Sequence, residues 1–420
     1  MQMLCGCTND SSKRIVSKES IQNSIALFQL EGNPKCSALE INISNPNTSL
    51  VQFYITPKAI DFGSYQTLIA GIIKPEMTEK EKALKLWNFT SKWSKMGIPP
   101  SRNREPCDPL KLFNSIEFAL CGGINSALAN LDSLAGLRSR VYHLSGHVVS
   151  EVFYNDEWHM FDADRSIYFL DDKGEVASVE YISNHPEIIY AQRNRIRNWA
   201  GMKLSYKMMQ RVYSTKHNNT VNEWFKSIPY TCSNKLVLNK GDVINFKISK
   251  TSKWEQARKV VSNHGHIDYM REGILKRKIA PHNSSQFERE LIFKEQSPYL
   301  VSSVAVNKED MILPDKMYLS VYYSPDSVRW YFKGVVSNST SQILFAATNA
   351  DNEQGAFSYF LKFVTNTDTD IKDLSAISIA NKFLFSDKIF VNDDNSFKLV
   401  FLNKKPGDVL NISISQTQNN

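Results

Sequence analysis

Residues 118–162 read FALCGGINSALANLDSLAGLRSRVYHLSGHVVSEVFYNDEWHMFD, and their periodicity decides what surrounds them. Behind Cys121, the residues Ile124, Ala127, Leu128, Leu131 and Leu134 recur at helical spacing, and Gly136 supplies a stop. His147 to Tyr154 is strand-like. Asn155-Asp156 then makes a two-residue turn, and Trp158 to Asp162 returns beside it. A buried helix leading into a hairpin predicts a mixed α+β domain.

The same stretch carries the chemistry. Cys121 stands at the front of the helix, where the positive end of the dipole favours a thiolate. Gly122 and Gly123 leave the first amides uncovered, and the Cys121 amide is a candidate oxyanion donor. The hairpin predicts His147 and Asp162 at the same end of neighbouring strands. Cys, His and Asp in this order are the parts of a thiol nucleophile, its base and its orienting acid. Trp158, His159 and Asn114 are the residues expected to touch a substrate, and Glu151 is expected to be a structural hydrogen-bond partner.

Working outward, Thr78 with Glu81 three residues on is a capping-box signature. Ala83, Leu84, Leu86, Trp87 and Phe89 follow as an apolar face, and Gly97-Ile98-Pro99-Pro100 ends the helix. Residues 191–226 read as a polar, basic helical region in which Ile196, Trp199, Met202, Tyr206 and Met209 recur at helical spacing.

Residues 14–72 read as a small N-terminal β element, with Ala38 to Ile43 alternating and Asn45-Pro46-Asn47 turning. Residues 229–420 hold many short alternating runs, which predict an antiparallel β-sandwich. Two Gly-Asp units, Gly241-Asp242 and Gly407-Asp408, have strand-like runs on both sides. Trp330, Tyr322 and Tyr323 in this region are candidates for stacking on sugar rings. The expected division is a tether or signal remnant over 1–13, the β element over 14–72, a core domain with trailing helices over 73–228, and the sandwich over 229–420.

The chain has 420 residues, 42% of them hydrophobic, enough for real cores and against global disorder. Its formal net charge of +7 fits an anionic partner without selecting one. Dense basic clusters are missing, and Lys276-Arg277-Lys278 reads as a solvated face, so no nucleic-acid partner is expected. No run of about 18 apolar residues suggests a transmembrane helix. The six cysteines lack zinc-site spacing, and no metal or organic cofactor is expected. Leu4-Cys5-Gly6-Cys7 resembles the end of a bacterial lipoprotein signal with Cys7 lipidated. That reading places the chain in the cell envelope or outside the cell; an ordinary start places it in the cytoplasm.

From Phe118 to Asp164 the chain resembles the transglutaminase-like superfamily core, in a form close to bacterial members. The resemblance rests on Cys121 at a helix start, Gly136-Leu137-Arg138-Ser139-Arg140 at a strand entry, His147 with Glu151, and Trp158 with Asp162. It covers roughly 75–190. One departure is Asp162-Ala163-Asp164 in place of the commoner Asp-Pro, which makes Asp164 a rival orienter.

The resemblance implies a papain/transglutaminase-like core with Cys121 as nucleophile, His147 as base and Asp162 as orienter. The implied activity is acyl transfer from a peptide or protein amide, as peptidase, amidase or transglutaminase, with cell-wall material among the substrates. The family also holds inactive binding members. The alternative expectation is therefore a non-catalytic protein- or glycan-binding protein on the same scaffold, or a polysaccharide-processing protein.

Overall fold

In a computed structural model the chain is a mixed α+β protein with several sheets and few helices. The structure describes residues 14–21, 25–30, 37–47, 49–97, 99, 105–196, 198–199, 202–203, 205–214, 220–222, 235–249, 270–278, 289–308, 313, 316–349, 355–366, 377–390, 395–402 and 405–418. Two compact units form. One joins Met1–Lys58, Cys232–Lys253 and Asp268–Asn420; the other joins Ala59–Thr231 and Trp254–Ile267.

The second unit contains the decisive stretch. The helix Glu79–Trp93 starts with the expected capping box, in which the Thr78 hydroxyl accepts from the Glu81 amide and Glu81 accepts from the Thr78 amide. The helix Cys121–Leu134 buries Ile124, Ala127, Leu128 and Leu131 completely. Gly136 after it has φ of 84°, the left-handed conformation that ends helices and suits a residue without Cβ.

A four-stranded antiparallel sheet follows, in the order Thr220–Asn222, Arg138–Leu144, His147–Tyr154, Glu157–Phe161. Asn155 and Asp156 both have positive φ, the primed turn whose twist matches a hairpin. Ala129 of the helix packs with Val141 and Val148 of the sheet. Val149 and Met160 instead join Phe169, Ala177, Val179, Ile182, Met209 and Tyr213 in a separate apolar cluster.

The region 191–226 is not one helical stretch. Asn198–Trp199 and Met202–Lys203 pair as a minimal hairpin, and the helix is confined to Tyr206–Ser214. Met209 and Tyr213 still face the core, since two buried residues four apart suffice to anchor so short a helix.

The first unit is not a sandwich made from the C-terminal part alone. An eleven-stranded sheet takes Arg14–Ile21 and Ser37–Ser44 from the N-terminal part, and a four-stranded sheet takes Ile25–Gln29 and Val51–Pro57. The two Gly-Asp units are not hairpins either. Leu236–Leu238 lies in the four-stranded sheet and Val243–Ser249 in the eleven-stranded one; Ser396–Leu402 and Leu410–Gln418 divide the same way.

Each Gly-Asp is therefore a corner between sheets, as is Asn45-Pro46-Asn47. The two Gly-Asp corners are built alike. Asp242 accepts from the Asn239 amide at 2.9 Å and Asp408 from the Lys405 amide at 3.0 Å, with Gly241 and Gly407 at positive φ. Asn45 Nδ2 donates to Leu238 O at 2.9 Å, and Ser49 Oγ donates to Asp408 at 2.9 Å, so the three corners are tied together.

Arg277 departs from the solvated face expected of it. It lies between Asp242 and Glu295, with Nε 2.9 Å from Asp242 Oδ2 and Nη1 2.8 Å from Glu295 Oε2. Strand alternation turns it inward and leaves Lys276 exposed. Among the described residues no helix is long and apolar enough to cross a membrane.

Asp132 is a cost the second unit carries. Its side chain is fully buried and neither carboxylate oxygen has a hydrogen-bond partner. Burial pushes its acidity well above the usual carboxylate range. The folded state then holds a proton that the unfolded chain releases near pH 4, so stability falls as pH rises beyond that point. Asp132→Asn is expected to flatten the pH dependence of urea unfolding between pH 5 and 8 (about these limits); an unchanged slope would contradict this assignment.

Candidate functional site

The Cys121 helix, the hairpin and the helix Tyr206–Ser214 meet at one carboxylate. His147 Nε2 lies 2.6 Å from Asp162 Oδ2, as the hairpin expectation requires. The Tyr213 hydroxyl donates to the same oxygen. Asn125 Nδ2 and the Arg165 amide donate to Oδ1 at 3.2 and 3.1 Å. The four donors match the lone-pair capacity of a carboxylate. The backbone of Asp162 is tied as well, to Ile167 in both directions and to the indole of Trp87.

His147 is 4% exposed and Asp162 not at all. Burial alone would lower the His147 pKa, but the charge and hydrogen bond of Asp162 outweigh it and raise the value to about 9, helped by a further hydrogen bond to the Cys121 side chain. Burial would likewise raise Asp162; the facing imidazolium, with Arg165 and Tyr213, holds it down at about 2. The pair is therefore ionised at neutral pH.

This arrangement corrects the Cys–His–Asp triad. The side chains whose ligating atoms all lie within 4.8 Å of one another are His147, Asp162 and Asp164, a His–Asp–Asp cluster to which Cys121 does not belong. Cys121 is half-buried at the helix start and reaches the imidazole from outside that cluster. The imidazole has almost no surface open to solvent. The glycines have a packing role: a Cβ on Gly123 would stand 2.8 Å from Ala119 Cβ. The reading as a cysteine-dependent acyl-transfer enzyme or hydrolase, with Cys121 as nucleophile of a catalytic triad, is withdrawn on these grounds.

The cluster is also a poor cation site. Its central carboxylate is saturated by donors, and the Arg165 guanidinium is close enough to both Asp162 and Asp164 to be stabilised by their charges. A metal would have to displace those donors and the imidazole proton.

The other expected substrate residues are spread out. Asn114 is buried in the π-helical turn Leu112–Ile116. His159 is buried, stacked on Tyr154, with its ring nitrogens on the carbonyls of Val176 and Tyr154. Trp158 is half-buried, with the Arg140 and Arg138 guanidinium carbons 3.9 and 5.1 Å from its ring centre. Glu151 is structural as expected, accepting from Arg140 Nε and the Val179 amide, both at 2.8 Å. Cys7 lies outside the described residues.

In the first unit, the sugar-stacking candidates separate. Tyr323 is fully buried with its hydroxyl on the Thr348 carbonyl. Tyr322 and Trp330 are half-exposed and converge on Lys362, whose Nζ is 4.6 Å from the Trp330 ring centre and 5.4 Å from that of Tyr322. Strand register shows why. Ile292 pairs with Lys362, Lys362 with Tyr322, and Tyr322 with Phe332, forming one row across four strands. At ~4.8 Å per strand the row is about 14 Å long. Phe332 is 58% exposed and Ile292 51%. Single-strand reading missed Phe332, Lys362 and Ile292 because they adjoin Tyr322 only through pairing.

No family model matches the chain, and no curated protein matches it. A solved structure of infectious bursal disease virus Gx strain aligns with a TM-score of 0.16 at 7% identity, over 98% of this chain and 82% of that one; a likeness at this level carries no argument.

The buried pair makes a prediction. His147 stabilises the fold while protonated, so this contribution is present below about pH 6.5 and is lost as pH rises through about 9. Asp162→Asn removes the counter-charge from a buried imidazole. It is expected to destabilise the protein by about 3–5 kcal/mol in urea unfolding and to bring the His147 pKa, read by NMR, below the ordinary value. A cost under about 1 kcal/mol would show that the pair does not hold the unit together.

Proposed function

We propose that the protein is a non-catalytic glycan-binding protein, its ligand a polysaccharide of the cell-wall type, held on the sheet face around Tyr322, Trp330 and Phe332. The transglutaminase-like motif around Cys121 then marks a scaffold of that kind, papain-like in descent and without turnover. The observation that carries the reading is the row Ile292–Lys362–Tyr322–Phe332 with Trp330 beside it, in which Phe332 and Ile292 are exposed and Tyr322, Trp330 and Lys362 partly so. Exposed aromatic area of this kind needs a reason, and rings held edge to edge by strand pairing lose little freedom on binding. Sugar rings offer C–H faces for such surfaces and hydroxyls for the Lys362 ammonium.

A glycan array followed by calorimetry tests the reading. Trp330→Ala and Tyr322→Ala are each expected to weaken binding about tenfold, the effect of losing 1–2 kcal/mol of stacking, with the melting temperature unchanged. An array with no ligand, or binding indifferent to both substitutions, would remove it.

A further inference from the structure

We propose that the glycan taken by this face is acidic, with its carboxylate read by Lys294. This rests on the glycan-binding reading and adds the class of sugar to it.

Charge on the face is not balanced. Lys362 lies 3.5 Å from Glu290, and Arg329 lies 2.8 Å from Asp326, so two cations have acids beside them. Lys294 is exposed, and its contact is with the Phe360 ring, 5.8 Å from Nζ to the centre; among the described residues no acid pairs with it. Phe360 pairs with Lys294 across the strands, and Lys362, two residues along from Phe360, pairs with Ile292. Lys294 therefore projects from the same face as Ile292 and Lys362, one two-residue step, about 7 Å, from Ile292. Tyr322 lies two strands over and one step along, about 12 Å from Lys294, so a chain of two or three sugars running from Tyr322 or Trp330 brings a substituent carboxylate to the ammonium.

The position also explains why a lysine suits this task. It stands on a rigid strand, its stem lies against Phe360, and its head remains in water. Among the described residues the ammonium has no ion pair, so binding an anion breaks none there. Its attraction is between exposed charges and is expected to weaken as salt is raised.

The test uses the full chain and pairs of ligands differing only in charge: oligogalacturonate, oligomannuronate and oligoglucuronate, each against its methyl ester, measured by calorimetry at low and raised salt. The expected result is a preference for an acid over its ester that shrinks with salt. Lys294→Gln should reduce that preference about two- to fivefold and leave ester binding unchanged. Esters bound as tightly as acids, or a preference untouched by Lys294→Gln, would overturn the acidic assignment while leaving the platform reading in place. Binding of neither acids nor esters, nor of any neutral glycan on the array, would overturn both.

Discussion

A single buried carboxylate organises the second unit. Asp162 receives a charged imidazole, a phenol, an amide side chain and a backbone amide, and its own backbone holds the Trp87 indole. Those donors come from the helices Glu79–Trp93 and Cys121–Leu134, a hairpin strand, the loop after Asp162 and the helix Tyr206–Ser214. A buried ion with every lone pair filled is tolerable, whereas the same ion missing one donor is costly. The elements must therefore arrive together, and the cluster fixes their mutual placement. This is a sufficient explanation for a buried His–Asp pair, and it leaves the imidazole charged and enclosed rather than available to a substrate.

The sequence displayed the local half of this plainly. Helical spacing behind Cys121, the Asn155-Asp156 turn and the Thr78–Glu81 box all depend on residues a few positions apart, and each formed where the pattern placed it. The pairing of His147 with Asp162 was legible because a two-residue turn fixes register. Tyr213, Asn125 and Arg165 were not, since Tyr213 lies 51 residues from Asp162 and no local rule brings it there. Three ordered residue types in the right order pointed to a triad; the competing cluster with Asp164 depends on how the loop after Asp162 folds back, which periodicity does not encode.

The first unit was misread for a related reason. A Gly-Asp pair between two alternating runs looks the same whether the runs pair with each other or leave for different sheets. Here they leave, and the partners that decide it are Val51–Pro57 and Ser37–Ser44, about 190 residues before the first Gly-Asp pair and about 360 before the second. The cross-strand row was half legible for the same cause: Trp330 and Tyr322 stand out as aromatic residues, while Lys362 and Phe332 acquire meaning only from cross-strand register, and alternation turns Tyr323 to the inside. The functional conclusion moves accordingly, from a site whose groups are spent on one another to a face whose groups are open.

Hydrogen–deuterium exchange with and without a saturating acidic oligosaccharide tests that conclusion most directly. The account predicts slower exchange in the part of Glu290–Lys308 around Lys294, in Leu319–Ser324, Tyr331–Val336 and Ala356–Thr365, and no change in Cys121–Leu134 or His147–Tyr154. Protection confined to the Cys121 helix and the His147 strand would contradict it.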